Sequence, residues 1–286
     1  MAANMKSVKL RIKSVQRTMQ ITKAMELVAS SKLRKAKERA ETCRPYFQTL
    51  HGTLKDIAAG NTDFSSVYAK EATNEKYCYV VIAGDRGLAG GYNANVFKCL
   101  EADAEGKDYV VLPIGKKAVE YFKRRKVECL TEEFAEVADI SVADCFEIAN
   151  LLCTEFKKGR FGHIELCYTK FVSMLSQRPD VFSVLPMKDL EESEKEGKQV
   201  RNLILYEPDA STVFDAIVPE YLAGLIYGGV CEGLASELAA RRTAMESATS
   251  NAEEMIEQLN LFYNRARQAS ITQEITEIIG GAETGS

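Results

Sequence analysis

The sequence predicts a mixed α/β protein: a long antiparallel coiled coil of the N- and C-terminal helices, with an open α/β domain inserted between them. Three observations carry this. Leu234 to Ile279 runs 46 residues without Pro or Gly and repeats apolar residues every seven positions. Residues 5–57 show a second heptad pattern. Between the two, short apolar runs alternate with helical segments.

The N-terminal helix is placed by Met5, Ile12, Met19, Leu33 and Ala40 in one register and by Val8, Val15, Ala29 and Ala36 in the other, extending to about Ile57. Such a pair of registers is the seam along which helices supercoil. Thr22 and Glu26 fall in seam positions, so packing there is imperfect, and Pro45 is expected to bend or break the helix near Arg44. Ile21, Met25 and Val28 form a second apolar set, roughly 140° around the helix from the seam at about 100° per residue. One antiparallel partner cannot cover both faces. The second face belongs either to a third helix of a bundle or to a different protein surrounding this part.

Residues 60–75 are polar and read as loop. Strands are predicted at Tyr77–Ala83, Tyr109–Ile114, Val127–Leu130, His163–Lys170, Val181–Leu185 and Val200–Tyr206. Helices are predicted at Ala94–Glu105, Lys116–Lys126 and Ser141–Lys158. This alternation argues for a Rossmann-like open sheet with right-handed crossovers over residues 76–206. The last strands follow each other without a helix and are expected to pair antiparallel. Residues 190–199 form a charged loop between them.

From residue 209 to 286 a second long helix is expected, with Asp209 or Ser211 as N-cap. Pro219, Gly224 and the Gly228–Gly229 pair are candidate kinks. Its seam is read as Leu238, Met245, Ala252, Leu259 and Ala266, with Ala248, Met255, Phe262 and Ala269 three positions on; Arg241, Gln273 and Thr276 interrupt it. The 46-residue stretch alone would extend ~69 Å at 1.5 Å per residue. A domain of roughly 130 residues has a radius of gyration of about 14 Å, so the helix is expected to protrude.

Charge supports pairing of the two ends. Residues 1–45 carry a net +9 and residues 232–286 a net −5, within a total of −4 for 286 residues. The eight Cys are scattered, without a CxxC pair, and several sit in apolar runs such as YCYVVI, which points to a reducing compartment. No window approaches 18 wholly apolar residues, so no direct membrane insertion is expected.

The turn GDRGLAGGYN (84–93) follows a strand and precedes a helix, where dinucleotide folds bind phosphate. It matches neither GxGxxG nor GxxxxGK[ST], and Asp85 puts a carboxylate where a phosphate would sit. An α/β nucleotide-binding protein with coiled-coil arms is therefore the alternative reading, set against a tight strand-to-helix turn that needs Gly. The basic N-terminal helix has few aromatics and interleaves its charges with a seam, so no nucleic acid is expected. His51 and His163 lie far apart in sequence without Cys at ligand spacing, so no metal is expected. No catalytic arrangement and no cofactor site stand out.

The segments MKSVKLRIKSVQRTMQITKAMELVASSKLRKA (5–36), GDRGLAGGYNAN (84–95) and SELAARRTAMESATSNAEEMIEQLNLFYNRARQASITQEITEIIGGA (236–282) closely resemble the gamma subunit of bacterial-type ATP synthases, over essentially the whole chain. The resemblance implies a non-catalytic rotor shaft, one copy per complex. The terminal helices (1–60 and 209–286) would form an antiparallel coiled coil within an α/β hexamer, and the α/β domain a foot on the epsilon subunit and the c-ring. Carried over by position, Lys23, Met25, Lys32, Arg241 and Gln268 would contact the surrounding subunits, the two lysines facing acidic β loops. Tyr206 and Glu207 would touch epsilon and the c-ring loops, and Asp85 and Arg86 would shape the turn of the foot. The complex would sit on the cytoplasmic face of a bacterial membrane, as the lack of a transit peptide suggests. Ala89 stands where many relatives have Cys, and residues 190–210 lack the paired-Cys insertion of the chloroplast type, so redox control of that kind is not expected.

Overall fold

The computed structural model describes residues 2–60, 65–70, 74–187 and 206–283. The chain runs α1 (Ala2–Gly60), β1 (Tyr77–Ile82), α2 (Tyr92–Asp103), β2 (Tyr109–Ile114), α3 (Lys116–Arg125), α4 (Val142–Lys157), β3 (His163–Phe171), β4 (Gln177–Leu185) and α5 (Ala210–Glu283). It divides into two compact units, one of residues 31–240 and one of residues 1–30 with 241–286.

In the larger unit the sheet order is β2-β1-β3-β4, with β1 parallel to both β2 and β3, and β4 antiparallel to β3. Both faces are covered. Cys78, Val80 and Ile82 of β1 face α4 and the first turns of α5; Tyr79, Val81 and Ala83 face α2 and α3. A strand buried on both faces needs apolar residues at every position, which is why YCYVVIA reads as an unbroken run. Ser141 caps α4 in a reciprocal capping box with Asp144, and Asp209 caps α5 by accepting from Thr212 N at 2.9 Å.

Three sequence expectations shift here. Val127–Leu130 forms only an isolated bridge, Val111 with Cys129. After it the chain peels from the sheet edge, where Phe134 O accepts from Gly115 N at 3.0 Å and Asp85 takes the Val137 N–H at 2.9 Å. The strand foreseen at Val181 begins at Gln177 and includes Pro179; β4 is an edge strand, where a missing N–H is tolerated. The strand foreseen at Val200–Tyr206 and the charged loop 190–199 lie outside the described residues, apart from Tyr206, which packs against the core beside α5.

Neither proline breaks its helix. α1 continues through Pro45, with Ala36 buried before it and Leu54 and Ile57 after it. α5 continues through Pro219, between buried Val218 and Tyr221. A proline in a helix interior costs ~3 kcal/mol, and burial of two or three flanking apolar side chains at ~1.5–3 kcal/mol each offsets that. Two glycines of α5 are packing sites: a Cβ at Gly229 would lie 2.9 Å from Ile82 Cδ1, and one at Gly233 3.3 Å from Tyr92 Oη. The same apolar region gives α5 an 18-residue window of mean hydropathy 1.3, half of it buried. Phe214, Val218, Leu222 and Ile226 spend that apolarity on the sheet.

α1 and α5 run antiparallel within this unit. Leu33 and Ala36 pack with Ala235, Leu238 and Ala239, while His51 stacks on Tyr221 with ring centroids 5.6 Å apart. In the smaller unit Thr22 Oγ1 and Thr249 Oγ1 meet at 2.8 Å. Counting outward from that contact, Met19 lies opposite Ala252, Val15 opposite Ile256, Ile12 opposite Leu259 and Glu26 opposite Met245. The N-terminal seam is as read, with Thr22 and Glu26 buried in it.

The second register of α5 is displaced by one residue. Thr249 is buried and Ile256, Tyr263 and Ser270 are half-buried, whereas Met255 is 41% exposed and Phe262 50% exposed. The reason is direction. α1 steps three then four along its seam, and an antiparallel partner meets those steps in reverse, as four then three.

Gly115 tests the packing of the sheet against the α3 start. Its φ is +98°, and an added Cβ would fall 2.2 Å from Ala83 O; at Gly106 φ is +77° with nothing near. Gly106→Ala is expected to cost about 1–2 kcal/mol of backbone strain alone. Gly115→Ala is expected to cost at least about 3 kcal/mol, or to prevent folding. Urea denaturation of the two variants checks the ordering.

Candidate functional site

The glycine-rich turn was the candidate ligand site, and its Asp85 carboxylate and Gly84 N–H are taken by the chain itself. Asp85 Oδ1 accepts from Val137 N at 2.9 Å and Lys116 N at 3.2 Å, and Oδ2 accepts from Ala138 N at 3.3 Å. Lys116 N belongs to the first residue of α3, where an anion is favoured by the unpaired N–H groups and the helix dipole. Asn93 closes the other side: its Oδ1 accepts from Gly84 N at 2.8 Å and its Nδ2 donates to Arg86 O at 3.3 Å. The Glu237 carboxylate lies over Gly84, where a Cβ would come within 2.7 Å of it, and Tyr92 Oη donates to Gly233 O at 3.0 Å. The glycines therefore let α5 close onto the turn. Arg86 points outward and is exposed.

Other reactive groups are likewise engaged in structure. The Tyr221 hydroxyl and His51 Nδ1 are 3.0 Å apart, and His163 stacks on Tyr77 with centroids 4.4 Å apart. Among the described residues no group of three metal-ligating side chains converges. Burial pushes the Cys145 thiol up to about 12 and raises Cys78 and Cys167 further, as expected of thiols acting as small hydrophobes. Burial alone would raise Asp103, but hydrogen bonds from Lys107 and Tyr79 outweigh it and hold the carboxyl below its usual range.

The candidate contact residues occupy surface rather than a pocket. Lys23 Nζ pairs with Glu26 Oε2 at 3.1 Å, from a side chain 56% exposed. The lysine end of this pair is exposed, while Glu26 is largely buried in the seam. Met25 and Arg241 are half-buried, and Lys32 and Gln268 exposed. They do not converge: Arg241 and Gln268 are about 40 Å apart along α5 at 1.5 Å per residue. Tyr206 is half-buried against the core and Glu207 is exposed.

A larger apolar surface went unread in the sequence. Besides Ile21 and Val28, which are 60% and 55% exposed, the smaller unit exposes Leu10, Leu27, Met255, Leu261 and Phe262. Ile271, Ile275, Ile278 and Ile279 of α5 are exposed as well. By the Thr22–Thr249 register, Ala2 lies opposite Ala269, so these isoleucines follow the last position that α1 faces. Their spacing at i, i+4 and i+7 was the available signal; it was obscured because Gln273 and Thr276 ended the expected seam.

Residues 4–284 match the sequence model of a family described as ATP synthase. A curated ATP synthase gamma chain of Ruminococcus albus is 50% identical over 282 residues, covering 96% of each chain. The chain belongs to the ATP synthase gamma-chain family. Another gamma chain, described as sodium ion specific and from Acetobacterium woodii, is 39% identical over 99% of both chains. Among solved structures, a chain of the Euglena gracilis mitochondrial ATP synthase (OSCP/F1/c-ring, rotational state 3) superposes with a TM-score of 0.71 at 21% identity, covering 99% of this chain and 95% of that one. A chain of the rotor of the same enzyme, in rotational state 1, gives 0.65 at 20% identity, covering 95% and 100%. As in other gamma-chain relatives, the sequence is that of a subunit without a catalytic centre of its own.

If the turn is structural, Asp85→Ala removes the acceptor of three N–H groups, that of Val137 part-buried, and should lower stability by about 1–3 kcal/mol in urea denaturation. Mg-ATP titrated into the full chain should give no saturable heat. A saturable isotherm that Asp85→Ala abolishes would restore the phosphate-binding reading.

Proposed function

We propose that the chain is the central rotor shaft of an ATP synthase, coupling ion flow through a membrane c-ring to ATP chemistry in a surrounding α/β hexamer. One observation carries this reading beyond family membership. The seam of the smaller unit is closed by α1 and α5 themselves, yet apolar side chains stand exposed around it: Leu10, Ile21, Val28, Met255, Phe262 and the isoleucines of the α5 end. Large apolar side chains left exposed along a helix pair whose own seam is closed are what a second protein layer would cover.

The physical task of such a shaft is differential contact. Its two helices present different side chains around the circumference, so each neighbouring subunit meets a different surface and favours a different conformation. Rotation then shifts nucleotide affinity from site to site, and binding energy and torque interconvert. Lys23, Met25, Lys32, Arg241 and Gln268 are the contacts we assign to the hexamer, with Lys23 exchanging Glu26 for an acidic loop of a neighbour. Tyr206 and Glu207 we assign to epsilon and the c-ring loops. The shaft is a peripheral subunit on the cytoplasmic face of the membrane, present once per complex.

Ile21→Lys places a charge on an exposed apolar side chain and Met25→Lys on the half-buried one a turn away, neither replacing a residue of the seam pairs. In the assembled complex each is expected to lower ATP-driven ion pumping several-fold while subunit composition and most ATP hydrolysis are kept. Unchanged pumping in both variants would remove this face from the contact surface.

A further inference from the structure

Within the larger unit α5 meets the sheet in two different ways. Phe214, Val218, Leu222 and Ile226 pack on it through apolar side chains. Further along the helix the contacts become polar and directional. Tyr92 Oη, at the start of α2, donates to Gly233 O at 3.0 Å, and Ser236 Oγ donates to Thr169 O of β3 at 3.1 Å; both bonds are buried. Glu237, 4% exposed, lays its carboxylate over Gly84 just past the end of β1, where a Cβ would come within 2.7 Å of it. Ile82 fills the notch left by Gly229 and Gly233, 2.9 and 3.3 Å from a Cβ built at each.

The order of these contacts around the helix decides what they do. Ser236 and Glu237 stand about 100° apart around α5, with Gly229 and Gly233 between them. One flank of the helix is thus held by β3 and the other by the turn after β1, and these two strands are neighbours in the sheet. Turning α5 about its own axis in either direction draws one of the two side chains away from its contact. Apolar packing is non-directional and discriminates weakly between neighbouring orientations. Burying a hydroxyl or a carboxylate costs free energy that an apolar side chain would not, so a stripe of buried polar groups points to a demand on geometry.

We propose that Tyr92, Ser236 and Glu237 are positioning residues for rotation: they key the sheet to α5, so that torque applied to one is carried by the other. This rests on the rotor reading. α5 continues from the keyed stripe into the smaller unit as one unbroken helix, so the joint sets how faithfully an angle imposed on the sheet is passed along it.

The test uses ATP synthase assembled with the full chain and held by its hexamer, with a bead attached to the sheet domain through Glu105→Cys, an exposed position at the end of α2. The angular spread of the bead is read in the stalled enzyme, and its rotation after ATP is added. Tyr92→Phe with Ser236→Ala removes two hydroxyls and little volume. Local opening becomes easier when directional bonds are lost, so the variance of the bead angle is expected to rise about twofold. Ser236→Ala alone, a smaller change, should widen it in the same direction if the double variant does not assemble. Gly106→Ala is the control for lost stability: it strains the same unit with nothing near its side chain, and its spread should match that of the wild type. The joint is overturned if the bead turns with ATP and the hydroxyl-deleted complexes show the wild-type spread, or if Gly106→Ala widens it equally. A wild-type bead that does not turn with ATP would instead remove the rotor reading, and the joint with it.

Discussion

The structure depends on the seam between α1 and α5. The Thr22–Thr249 hydrogen bond at 2.8 Å is its most specific feature, yet a single neutral hydrogen bond contributes only ~1 kcal/mol. The apolar pairs on either side contribute more in total but discriminate less, because Val, Ile, Met and Ala tolerate a shift along the helix. Energy and register thus come from different residues. The buried threonines are the residues that make one alignment better than its neighbours, in the way a polar seam position fixes pairing in coiled coils.

In the larger unit the same two helices flank a sheet covered on both faces, and small residues set the closeness of approach. Gly229 and Gly233 admit Ile82 and Tyr92, Gly84 admits the Glu237 carboxylate, and Gly115 admits the Ala83 carbonyl. Asp85 converts what would be an anion-binding turn into a covalently supplied anion, spending its carboxylate on three N–H groups. A strand–turn–helix sequence pattern therefore serves packing here, and the exposed apolar side chains lie elsewhere, where the seam leaves them uncovered.

Much of this was legible in the sequence. The heptads of α1, including polar Thr22 and Glu26 within them, gave its buried face, and β1, β2 and β3 followed from apolar runs. What was hidden was what depends on a partner's direction or on distant contacts. The seam of α5 at Thr249, Ile256 and Tyr263 competes with an equally apolar set one residue earlier, and only antiparallel pairing decides between them. Pro45 and Pro219 read as breaks because local propensity does not register the burial of Leu54, Ile57 and Tyr221. Asp85 could be seen to conflict with phosphate, but its partners are 31 to 53 residues away. The proposed contacts Lys23, Lys32, Arg241 and Gln268 have no local signature and came from family resemblance, whereas Met25 also belonged to the second apolar set of α1.

The central claim is that α1 and α5 of the smaller unit pair in one fixed register. It is tested most directly by Thr22→Cys with Thr249→Cys in the assembled ATP synthase, oxidised and assayed for both cross-linked peptide and ATP turnover. The account predicts near-complete cross-linking with turnover retained, since the bond joins two strands of a single rotor. Absence of the cross-link, or loss of turnover that reduction restores, would contradict it.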